Sequence, residues 1–323
     1  GKVSSPGTFA MFSRETILVL NNLLLLTITA TIFIGTAYPI LHPLFSDQEI
    51  SVGPPYFNSV LLPLAVPMLV LMGGGIWFNW RKTNADQFRT MKQSAILPVL
   101  LALTAGLVVF VFARDNALAS ALWFALGIWL IAGVAQYIRL EGGSNRLGRN
   151  RLSMVVAHIG VGIAILGMVG STLLAQEREM LLSRGEKMDI GPYTLEMTKT
   201  RPVIGPNYYA SEAEFRVTNT QSGEEVMVLS PQRRNYPIAE SKTTETAIRT
   251  TVFAALYIAL GESLTEDAPQ GTEDLDSGDQ GKWIVRVQYH PLIALLWLGM
   301  TLVAGSALMH IRFRKQNQIT GSK

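Results

Sequence analysis

Apolar residues in this chain gather into blocks of about twenty, the length a helix needs to cross ~30 Å of hydrocarbon. No other feature of the sequence restricts the fold as strongly. Six blocks, at about 17–41, 58–80, 94–113, 117–138, 153–175 and 290–311, read as transmembrane helices. The chain is therefore expected to be a mostly α-helical polytopic membrane protein. Its first residue is Gly rather than Met, as expected of a processed chain or a fragment, and the first apolar block lacks the small-residue cleavage pattern of a signal peptide.

The net charge of +3 and pI near 9.1 do not indicate nucleic acid, because Lys and Arg sit mostly in the short connectors between apolar blocks. No nucleic-acid partner is expected. On one side the connectors and termini carry fourteen basic residues: Lys2, Arg14, Arg81, Lys82, Arg89, Lys92, Arg139, Arg146, Arg149, Arg151, Arg312, Arg314, Lys315 and Lys323. The two short connectors opposite hold only Arg114. By the positive-inside rule both termini are expected on the cytoplasmic side or its organellar equivalent. With no cysteine, the chain can form no disulfide, thiolate ligand or Cys nucleophile.

This sidedness divides the chain into a five-span membrane region, 1–175, an extracytoplasmic domain, 176–289, and a last transmembrane helix with a cytoplasmic tail, 290–323. The domain between the fifth and last spans has short alternating runs bounded by turn residues, such as MDIGPYTLEM and AEFRVTNTQSGEEVMVLS, and is expected to be small and β-rich. Ser222-Gly223 suits a hairpin turn, and IGPNYYASEAEF (204–215) a turn followed by a strand. The Ala- and Leu-rich TTETAIRTTVFAALYIALGE (243–262) is expected to form a short helix. The acidic, Gly-rich stretch 263–281, poor in large apolar residues, reads as a disordered loop.

Four histidines acquire depths from this arrangement. His42 and His290 fall at the outer ends of the first and last spans, and His310 at the inner end of the last, where imidazole reaches water. His158 lies some five residues inside the fifth span, roughly 8 Å deep at ~1.5 Å per residue. An ionisable group there is a functional hypothesis by default. Two readings stand: a neutral imidazole hydrogen-bonding across a helix interface, or an axial ligand to the iron of a flat cofactor. Ala157, Gly160, Ala164, Gly167 and Ser171 recur at three- and four-residue spacing, giving this span one face of small side chains. Such a face admits either another helix or a cofactor such as haem.

Other stretches are less specific. LMGGGIWFNWRK (71–82) combines a flexible Gly run with Trp77, Phe78 and Trp80 as an interfacial belt. Pro63 and Pro67 are expected to kink the second span, and Asn21 and Asn22 to bond across helices. The sequence has no Walker loop, zinc spacing, nucleophile triad or pair of catalytic carboxylates, so ordinary hydrolysis is not expected.

Several stretches, in this order, resemble CcmF, the haem lyase subunit of cytochrome c maturation: FSRETILVLNNLLLL (12–26), ISVGPPYFNSVLLPLAVPMLVLMGGG (50–75), MVVAHIGVGIAILG (154–167), IGPNYYASEAEFRVT (204–218) and TTETAI with LYIALGE (243–262). The resemblance runs over essentially the whole chain but covers only the C-terminal half of that family. The family's earlier half carries a Trp-rich WWD segment that presents haem, two external histidines and a first membrane histidine. The six tryptophans here are scattered, with no such cluster.

The resemblance implies that His158, in the AHxG context Ala157-His158-Ile159-Gly160, is an axial ligand of a membrane haem b whose second ligand comes from the other half. Ala157, Gly160 and Ala164 are the expected cofactor-binding neighbours. It further implies a part in attaching substrate haem to the CxxCH motif of apocytochrome c, with electrons relayed through haem b from a donor such as quinol. The implied partners are the WWD-containing half, the CcmE haem chaperone, CcmH/CcmI-type subunits and apocytochrome c, at a bacterial or mitochondrial inner membrane. Without the WWD half this chain is not expected to suffice as an enzyme, whether it is a split subunit or a piece of a longer one. A noncatalytic scaffold docking maturation partners is the alternative. A transporter is disfavoured, since no other span carries a central charge or histidine and matched broken helices are absent.

Overall fold

The computed structural model describes residues 13–46, 52–78, 80, 85–113, 116–143, 148–264 and 281–320. Six long helices carry the apolar blocks: α1 (Arg14–Leu41), α2 (Pro54–Gly75), α3 (Ala85–Phe112), α4 (Ala117–Leu140), α5 (Arg149–Leu173) and α6 (Ile293–Thr320). All six are long and apolar enough to cross a membrane. The chain is a multi-pass membrane protein. Ser13 caps α1 through its hydroxyl oxygen, which accepts from the Thr16 amide at 3.2 Å, and Pro54 opens α2 where no amide is needed. The α3 helix begins well before the apolar block at 94, because the polar ADQFRTMKQ preceding it continues the same backbone ladder beyond the hydrocarbon.

Two compact units emerge, one of residues 1–169 with 295–323 and the other of residues 170–294. In the helical unit close approach depends on missing side chains. A Cβ on Gly162 of α5 would stand 3.0 Å from the Gly127 carbonyl oxygen of α4, and one on Gly160 would stand 2.8 Å from that of Gly299 of α6.

The second unit is a β-sandwich between α5 and α6. One sheet has the order β1 (Gln176–Leu182), β10 (Trp283–Pro291), β9 (Ala254–Ser263), β8 (Ala247–Thr250). The other runs β2 (Lys187–Ile190), β3 (Tyr193–Ile204), β4 (Tyr209–Asn219), β6 (Gln232–Tyr236), β7 (Ser241–Glu245), with β5 (Glu225–Leu229) also on β4. All pairings are antiparallel. Alternate residues fill the space between the sheets: Leu195 and Met197, Ala213, Phe215 and Val217, Leu256, Ile258 and Leu260, Val285 and Val287. On the outer side of β3 and β4, Lys199 and Glu214 face each other at 3.0 Å, and Arg201 donates to Glu212 at 2.7 Å. The outermost strands are short or charged: β2 and β8 have four residues each, β7 reads SKTTE and β1 begins QERE.

The hairpin at Ser222-Gly223 is present between β4 and β5, with Gly223 at φ +70° and its amide donating to the Asn219 carbonyl at 2.8 Å. The turn before β4 is closed by the Gly205 amide on the Tyr208 carbonyl. The expected helix over 243–262 is not formed. That stretch gives the end of β7, β8 and nearly all of β9, because Leu256, Ile258 and Leu260 alternate inward with a period of two, and β9 gains ladder bonds from both β8 and β10. Of the acidic stretch 263–281, residues 265–280 lie outside the described residues.

Candidate functional site

His158 is half-buried on α5, nine residues after the helix start at Arg149. Its Nδ1 is 2.8 Å from the carbonyl oxygen of Met154, one turn back. A carbonyl only accepts, so Nδ1 carries the proton and donates, which fixes the tautomer in the manner common for metal-ligating imidazoles. The ring also lies against the backbone of Met72 on α2. The imidazole thus sits between α5 and α2, with its hydrogen bond made within α5.

The α5 residues next to it in sequence join a buried cluster: Val155 packs with Ile76, Val134 and Tyr137, and Trp77, Met154 and Ile159 pack against them. Arg14, at the start of α1, donates to the Met154 sulfur at 3.3 Å, lies 5.2 Å over the Trp80 ring and acts on the imidazole electrostatically. Arg151 pairs with Glu141. Two buried polar atoms, Asn21 Oδ1 on α1 and Trp77 Nε1 just beyond α2, have no hydrogen-bond partner among the described residues.

The small-residue face departs from expectation. At roughly 100° per residue, His158 lies about 140° around α5 from the mean direction of Ala157, Gly160, Ala164, Gly167 and Ser171. That face is taken by α6: Gly160 and Ala164 meet Gly299, and Gly167 meets the backbone of Leu295 and Leu296. Gly160 and Ala164 therefore serve helix packing and form no open wall beside the imidazole. Ala157 lies on the same side of the helix. Ser171, at the end of α5, places its hydroxyl 3.5 Å from His290 Nδ1.

The remaining histidines have neighbours of their own. His42 lies in a short 3-10 turn, His42–Leu44, beside the Tyr38 ring at 5.4 Å. His290, near the end of β10, meets the Tyr257 ring edge-on at 5.5 Å, and His310 is exposed on α6. Among the described residues no group of three or more His, Asp or Glu side chains is set to hold a metal. Sequence reasoning missed Arg14, Met72 and Trp129. Gly73 is not a loose joint but a slot for the Trp129 indole, whose Nε1 donates to the Val70 carbonyl at 3.3 Å. Trp77 is correspondingly turned inward, edge-on to Trp129 at 5.5 Å, while Trp80 remains largely exposed.

Comparison with known proteins agrees with this architecture. Residues 173–291 match a family described as the CcmF C-terminal β-sandwich. The cytochrome c-type biogenesis protein CcmF of Pseudomonas fluorescens is 34% identical over 315 residues, covering 95% of this chain and 45% of that protein. CcmF of Escherichia coli is 29% identical over 98% of this chain and 46% of its own length, and the biogenesis protein NrfE of Haemophilus influenzae is 30% identical over 94% and 45%. A solved structure titled cytochrome c heme lyase CcmF shares the fold at a TM-score of 0.67 and 22% identity, over 93% of this chain and 46% of that one. The chain thus spans a little under half the length of these relatives. Residues 173–291 match the CcmF C-terminal β-sandwich, and nearly the whole chain is similar to the C-terminal part of these CcmF proteins.

Proposed function

We propose that this chain serves cytochrome c maturation as the C-terminal half of a haem lyase, with His158 as one axial ligand of a membrane haem b. The observation that carries the reading is the Nδ1 bond to the Met154 carbonyl at 2.8 Å, which leaves Nε2 as the nitrogen with a lone pair for iron. A haem b bound there would supply one-electron transfer, with quinol as the electron source and the incoming substrate haem as the acceptor. The chain's own residues hold the imidazole in its tautomer and pack α5 firmly against α4 and α6 through Gly162 and Gly160. The second axial ligand and the WWD surface come from the N-terminal half, and the β-sandwich contacts CcmE, CcmH/CcmI-type subunits or apocytochrome c. Both termini lie on the cytoplasmic side of an inner membrane, with the sandwich opposite. This half alone does not complete the thioether-forming site.

A second reading, a noncatalytic scaffold for the same partners, is favoured by the same Met154 bond, since a neutral imidazole whose one N–H is satisfied inside the bundle needs no metal. The test is a reduced-minus-oxidised visible spectrum of the assembled complex beside the His158→Ala form. Loss or shift of a b-type α band with assembly intact supports the ligand role. A correctly assembled complex lacking any haem band leaves the scaffold.

A further inference from the structure

The β8–β9 turn of the sandwich carries two large apolar side chains facing solvent, Val252 and Phe253, each 78% exposed. Strand register places them. Pro291, the last residue of β10, pairs with Ala254, the first of β9, and one residue separates Pro291 from the membrane-spanning α6. Because β9 runs antiparallel to β10, Phe253 and Val252 extend beyond Ala254 in the direction in which the chain enters α6. The Phe253 carbonyl accepts from the Leu292 amide at 2.7 Å, so the turn tip is bonded to the residue just before the span. Adjacent strands lie about 5 Å apart, which sets the lateral distance from the tip to the start of α6. On the other flank of β10, β1 begins three residues after α5 ends, with Gln176 opposite Tyr289. This end of the sheet is therefore the end at which both neighbouring helices join it.

We infer that Val252 and Phe253 insert into the lipid interface as a third point of contact between the sandwich and the bilayer, beside the two covalent ones. The turn is chemically suited to that place. Thr251 donates its amide to the Ala254 carbonyl at 2.7 Å, and the Ala254 amide donates to the Thr251 hydroxyl oxygen at 3.1 Å, so the tip satisfies much of its own backbone before leaving water. Arg249, exposed on β8 two residues from Thr251, stands at the level where a cation meets headgroup phosphates, and an aromatic residue at the boundary is the usual interfacial anchor. Leu174, also exposed, continues the apolar rim beside the end of α5. The inference rests on the helices being membrane spans and not on the haem reading.

The absence of cysteine permits unique labelling. The full chain carrying Phe253→Cys, modified with a nitroxide and held in nanodiscs of phosphatidylcholine and phosphatidylglycerol, is compared with Leu264→Cys. Leu264 is exposed at the far end of the same sheet, where its amide bonds the Lys282 carbonyl. Collision with a water-soluble nickel chelate is expected to be several-fold lower at 253 than at 264, with oxygen collisions higher. Equal nickel access at the two sites overturns the inference. Protection of 253 from both nickel and oxygen also overturns it, since that pattern marks a covering protein rather than lipid.

Discussion

The sandwich and the helical unit draw on similar apolar residues and dispose of them in opposite ways. Leu195, Met197, Phe215, Ile258, Val285 and Val287 of the sandwich are wholly buried. The helices bury Leu130 and Val134 completely but leave Phe33, Leu103, Val111 and Phe112 between 63% and 80% exposed. The sandwich is built against water and must hide its apolar faces from it. The helices are built against hydrocarbon, where exposing Leu costs nothing, and they associate through absent side chains at Gly127, Gly160, Gly162 and Gly299. Exposure of an apolar residue therefore carries opposite meanings in the two units.

Five substitutions test that contrast, from the largest expected effect to the smallest, with Leu260→Ala as the reference for the last. Phe215→Ala empties the centre of the sandwich and is expected to cost about 3–5 kcal/mol. Limited proteolysis of the full chain should open cleavage within 176–291 while the helical circular dichroism persists; unaltered protection would mean the core is not where the sandwich gets its stability. Gly299→Leu drives a side chain into the Gly160 carbonyl and the Ala164 backbone, which cannot yield. A loss of about 1–3 kcal/mol or more is expected, read as loss of monodisperse protein in mild detergent.

Glu212 gives the sandwich a pH dependence. Burial raises its pKa, but hydrogen bonds from Gln232 at 2.6 Å and Arg201 at 2.7 Å outweigh burial and hold the carboxyl below its ordinary value of 4.5. The folded pKa lies below the unfolded one, so the contribution is present above the ordinary carboxylate value and lost as pH falls through the folded value. Glu212→Gln is expected to lower stability at neutral pH by about 1–2 kcal/mol and to flatten the acid limb of the melting profile. An acid limb identical to that of the parent would remove Glu212 from the account. The smallest effect is expected for Leu103→Ala on α3, within about 0.5 kcal/mol, against about 2–5 kcal/mol for Leu260→Ala in the sandwich. Equal costs, measured by thermal unfolding in the same bilayer mimic, would erase the distinction between the two units.

The helices were legible because a membrane span is a composition over twenty residues, and position within the block matters little. The hairpin turn after β4 was legible because Gly223 must reach φ +70°, a conformation glycine adopts freely. Residues 243–262 misled because Ala and Leu favour helices as isolated residues, whereas the inward alternation of Leu256, Ile258 and Leu260 gains its stability only from β10 and β8, both outside that short window. His158 could be singled out from its depth alone. The Met72 backbone beside it could not, since a backbone neighbour leaves no mark in a sequence, and neither could the occupant of the small-residue face, because two helices and one cofactor make the same demand for space.

The short, charged outermost strands bear on how such a chain is made. Until β10 is made, just before α6, β1 and β9 lack the partner they share, and their unpaired backbone is open to any neighbouring chain. The QERE start of β1, the lysine in β7 and the four-residue lengths of β2 and β8 make poor templates for a stranger's strand. Once β10 has closed between β1 and β9, these outer strands keep the finished sheets from pairing with those of a second molecule.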